Sequence, residues 1–72
     1  MTRATKAAYF GNLEWQARSW GYNDAPVMPI MADIDSLIAR TLPNVQFSMK
    51  QKMDLLGSAE YAYMMRLRHR SA

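Results

Sequence analysis

The chain has 72 residues, no cysteine, one histidine and a formal net charge of +3, with nine Lys and Arg against six Asp and Glu. A chain of this length makes one domain that buries only about 60% of its unfolded surface, and without thiols it holds no disulfide and no thiolate zinc site. Half of it is hydrophobic and 21% is charged, which excludes a disordered polar tail, and no apolar run approaches the roughly 18 residues of a membrane span.

Block one, roughly 3–20, places Phe10, Leu13, Ala17 and Trp20 on one helical stripe. Ala4, Ala7 and Ala8 favour the helix, whereas Gly11-Asn12 weakens it and suits a hairpin turn flanked by alternating residues. The reading is a helix that starts as late as Asn12, with Gly21 just past its end as a left-handed cap. The Pro-containing segment GYNDAPVMP (21–29) then breaks the chain.

Block two, roughly 30–42, is the clearest helix and the expected centre of the fold. Ile30, Ile34, Leu37, Ile38 and Thr41 mark its face, Asp33 and Asp35 lie toward its start, and Arg40 toward its end, as the helix dipole favours. Asp33 is a candidate N-cap, and Pro43 stops the helix. Block three, roughly 48–56, has Ser48 as N-cap and Met49, Met53 and Leu56 on one face, with Gly57 as terminator. Block four, roughly 59–70, has Ser58 as cap and Tyr63, Met64 and Leu67 as its stripe, although Tyr61, Tyr63, Met65 and Leu67 also alternate as in a strand. These blocks predict a mainly α single domain over 1–72, of three or four short helices with frayed ends. The alternative is α+β, with an N-terminal hairpin at 5–18 and a C-terminal strand.

The residues argue against catalysis. A Ser–His–Asp set would need His69, three residues from the chain end, where nothing holds a base rigidly. Asp33 and Asp35, at i and i+2, point to different faces of a helix and share neither a metal nor a proton. Three isolated glycines make no phosphate loop. No enzyme activity, cofactor or metal site is expected. Arg3 and Lys6 precede a stretch broken by Gly11, Asn12 and Glu14, so no signal peptide is expected, and the cytoplasm is the location reached by exclusion.

Charge and aromatics point to partners. Residues 1–36 carry a net −1 and residues 37–72 a net +4, ending in RLRHR. A basic end meets phosphates or an acidic protein surface. Five of the aromatics fall in 9–22, and Tyr9, Phe10, Trp15 and Trp20 spread around a helix that has one inward face. Some of them must remain exposed, and exposed Trp and Tyr are typical interface anchors. The candidate partner-binding residues are Tyr9, Trp15, Trp20 and Tyr22 as anchors, with Arg66, Arg68 and Arg70 steering toward an acidic patch. The partner classes are a larger protein, nucleic acid or a second copy forming a homodimer; a membrane is not among them.

Two resemblances follow. Met53, Leu56, Gly57 and Tyr63 over 49–68 resemble the helix-turn-helix of repressors, which would imply a DNA-binding transcription regulator. Lys52, Met53, Ser58 and Arg66 depart from that pattern, and Glu60 stands where a phosphate would be met. The whole chain, short, cysteine-free, rich in methionine and aromatics and without catalytic equipment, resembles small phage-encoded host-takeover proteins. That resemblance covers no defined motif and carries no residue roles. It implies a non-enzymatic inhibitor or regulator of a host protein, with RNA polymerase as the first target; phage anti-CRISPR proteins and quorum-sensing inhibitors share the look.

Overall fold

The computed structural model describes residues 3–71 and folds them into three helices: α1 (Arg3–Asn23), α2 (Met31–Thr41) and α3 (Met49–Ser71). The mainly α class holds, and among the described residues no strand forms, so the hairpin at 5–18 and the strand at 59–70 are not adopted. The fraying expected at the extreme ends concerns residues outside this range.

Three boundaries differ from the sequence reading. α1 runs through Gly11-Asn12 instead of starting at Asn12, because Phe10, Leu13 and Ala17 are held on one side by packing and the Asn12 side chain accepts a hydrogen bond from Gln16. Gly21 is not a left-handed cap. It lies inside α1 and has no positive φ, and its missing side chain is used instead for close approach, since a Cβ there would run into the carbonyl of Ala59. Blocks three and four form one helix, because Gly57 also lacks positive φ and Leu55, Ala59 and Ala62 on either side of it are buried along one face. A mid-helix glycine costs about 1 kcal/mol relative to alanine, which the burial of one leucine, worth about 2 kcal/mol, offsets.

The caps are specific. Ser48 and Gln51 form a reciprocal box: the Gln51 N–H donates to Ser48 Oγ at 3.2 Å and the Ser48 N–H to Gln51 Oε1 at 2.9 Å. At α2 the N-cap is Ile30, not Asp33; Asp33 stands three residues on and accepts the Ile30 N–H at 2.8 Å. Leu42, ahead of Pro43, has a non-helical φ of −139° and ψ of 64°, in keeping with the exclusion of the α region before proline.

Contacts between α1 and α3 progress in one direction, from Phe10 on Phe47 with ring centroids 6.0 Å apart, through Gly21 on Ala59, to Tyr22 on His69. The two long helices are therefore parallel. α2 returns antiparallel along one side of them, with Thr41 near Tyr9 and Leu37 near Trp20. The core is Leu13 and Ala17 of α1, Ile34, Leu37 and Ile38 of α2, and Leu55 and Ala59 of α3, with Phe10, Trp20 and Phe47 packed on it. The α1–α3 contact is the most extensive in the molecule, so the centre of the fold is this pair and not α2 alone. On α3 the buried side is Leu55, Ala59, Ala62 and Arg66. Of the anticipated stripes, Met49, Met53, Met64 and Leu67 are exposed, whereas Leu56 packs on the core and Tyr63 is half-buried.

Candidate functional site

Arg66 ties the far end of the helix pair together. Its guanidinium donates to the carbonyls of Tyr22, at 3.4 Å, and Ala25, and its Cζ lies 4.8 Å from the Tyr63 ring centroid. α1 has no basic residue in its own last turn, so α3 supplies the positive charge that its carbonyl end favours. Arg66 is 9% exposed and is spent on this cap; the expectation that it steers a partner gives way to a structural role.

The other anticipated partner residues are dispersed. Tyr9 is exposed on the side of α1 that faces α2, beside Asn12, Leu13 and Leu42. Trp20 is half-buried against the core, which makes it a packing residue. Arg68 and Arg70 are exposed in the last turn of α3. Asp33 is held by its cap and Asp35 by Lys52, whose Nζ lies 2.9 Å from its carboxylate.

Trp15 and Tyr22 come together with residues the sequence reading did not assign. On the side of the helix pair away from α2, α1 and α3 enclose an open groove in two continuous parts, of about 660 and 290 Å³, that share Arg18 and Tyr61. Arg18 and Tyr22 line it from α1, and Met53, Gly57, Tyr61 and Met65 from α3. Each set steps by four residues, so each forms one ridge of its helix. Trp15 and Tyr61 are both 66% exposed, and Met53 is 59% exposed. Arg18 Cζ lies 6.0 Å from the Trp15 ring centroid. Glu14 and Asp54 stand at one end, the latter paired with Lys50 at 3.1 Å. Tyr22, whose hydroxyl is 3.0 Å from His69 Nδ1, stands at the other. Arg68 follows Tyr61 by seven residues on the same ridge.

Gly57 gives the groove its width. A Cβ there would meet nothing within 4 Å, so neither packing nor φ within this chain requires glycine. Alanine there would favour the helix by about 1 kcal/mol without meeting any neighbour in the monomer. The ridge was hidden in the sequence because a helix broken at Gly57 separates Met53 from Tyr61 and Met65. The uninterrupted α3 also removes the helix–turn–helix arrangement anticipated over 49–68, and with it the geometric basis for a recognition helix starting at Ser58.

No family model, curated protein or solved structure matches this chain. Among the described residues, no helix is long and apolar enough to cross a membrane, and no group of three or more His, Asp or Glu is placed to hold a metal ion.

Proposed function

We propose that this protein is a non-enzymatic regulator that binds a larger protein through the α1–α3 face and thereby inhibits or redirects it. One observation carries the reading. α2 covers one side of the long helix pair, while the other side presents Tyr61 and Met53 around an open groove, and Trp15 stands on the crest of α1 between that groove and a second hollow against α2. Large aromatics concentrated in one concave strip are the usual anchors of protein interfaces, and methionine adapts to irregular surfaces. Arg18 within the groove and Arg68 at its end favour acidic groups on the partner. RNA polymerase is the first target to test, on the strength of the chain's general likeness to phage host-takeover proteins.

The test is capture from bacterial lysate with the wild-type chain and with Trp15→Ala and Tyr61→Ala, followed by titration onto purified RNA polymerase. The expected result is one stoichiometric protein held by the wild type and lost, at least tenfold in affinity, in both variants. Capture of a different protein with the same dependence changes the target and keeps the class. Equal capture by wild type and variants contradicts the reading.

A further inference from the structure

We propose that, when no larger target is bound, the α1–α3 face is occupied by a second copy of this chain, docked antiparallel about a two-fold axis at Tyr61. This rests on reading the face as an interface and adds its occupant in the free protein.

The groove ridge of α3 carries its side chains in a self-complementary order. Asp54, Gly57, Tyr61, Met65 and Arg68 follow one another at steps of three, four, four and three residues. The series is symmetric about Tyr61 in spacing and complementary in chemistry. A two-fold axis there sets Asp54 opposite Arg68 of the second copy, and Gly57 opposite Met65 of the second copy. Tyr61 meets its own equivalent at the centre. Each acid meets a base, and each long flexible side chain meets the notch left by a missing one. A two-fold contact places the same patch on both subunits, so this self-complementarity is what it requires.

A parallel arrangement in the same register sets Asp54 on Asp54 and Arg68 on Arg68, and leaves Gly57 facing Gly57. Like charges opposed in this way disfavour it. The dimer also gives Gly57 a reason that the monomer lacks. From Met53 to Arg68 the face runs about 24 Å at 1.5 Å per residue, and two helices side by side are roughly 20 Å wide. That is roughly 1,000 Å² over the two copies, in the class of weak, transient interfaces, so the dimer has a Kd on the order of micromolar or weaker and yields to a tighter partner.

Sedimentation equilibrium of the 72-residue chain, from about 1 to 300 µM, tests this. The expected result is a monomer–dimer equilibrium. Asp54→Arg and Arg68→Glu each weaken it about tenfold or more, and the double variant returns to within about threefold of wild type. Gly57→Leu, which fills the notch from open space, also weakens it about tenfold, with helical circular dichroism unchanged. A monomer throughout the range, a larger assembly, or a dimer whose two charge variants do not rescue each other overturns the proposal. Trp15-dependent capture of a larger protein by a chain that stays monomeric would refute the second copy while leaving the function intact. A rescued dimer without any captured target would refute the function and leave the second copy standing.

Discussion

Trp15 and Trp20 are five residues apart on α1 and about 140° apart around it, and that angle separates fold from surface. Trp20 packs on the core and Trp15 stands 66% exposed over Arg18. Trp20→Ala should lower the unfolding free energy by about 2–3 kcal/mol, somewhat less than a fully buried aromatic, while Trp15→Ala should change it by no more than about 0.5 kcal/mol. Urea denaturation of the two variants measures both. The glycines divide in the same way. Gly21→Ala drives a methyl into the Ala59 backbone and should cost about 2 kcal/mol or more, because a backbone neighbour cannot swing aside. Gly57→Ala meets open space and should stabilise the folded chain by roughly 0.5–1 kcal/mol. Thermal melts of the two variants should move in opposite directions. Arg66→Met should cost about 2–3 kcal/mol, since it leaves the Tyr22 and Ala25 carbonyls without their charged donor.

At the scale of the element, legibility follows the size of the buried side chains. The stripe of Phe10, Leu13, Ala17 and Trp20 on α1, and that of Ile34, Leu37 and Ile38 on α2, are large enough for their spacing to reveal the inward face. α3 turns small residues inward, Ala59 and Ala62, together with Leu55 and the Arg66 cap, because parallel helices that approach at Gly21 and Ala59 leave no room for larger ones. Met49, Met53 and Met64 face outward, so hydrophobic spacing favours the exposed side although Leu56 packs inward, and Gly57-Ser58 reads as a stop. The groove was illegible for the same reason: Trp15 and Tyr22 could be singled out as anchors, whereas Tyr61 and Met65 acquire a common ridge only on a continuous helix. Ser48 was legible because its box with Gln51 is local. Ser48→Ala should cost about 1 kcal/mol, read by urea denaturation, with the loss of helical signal beginning at the start of α3.

Across the whole molecule, the core shared with α2 and the open groove lie on different sides of one helix pair. The α2 side holds Leu13, Ile34, Leu37, Ile38 and Leu55; the other holds Arg18, Tyr61 and Met53 around a groove, with Trp15 at the border between the two. α2 buries Ile34, Leu37 and Ile38 against the pair, whereas the groove strip leaves Tyr61 and Met53 exposed. Site-specific photocrosslinking tests this division most directly. A benzophenone side chain is placed in turn at positions 15 and 61, and at position 39 on the exposed back of α2. Crosslinks, to a second copy or to a larger protein, are expected from 15 and 61 and none above background from 39. Crosslinks from position 39 with none from 15 or 61 would contradict the division.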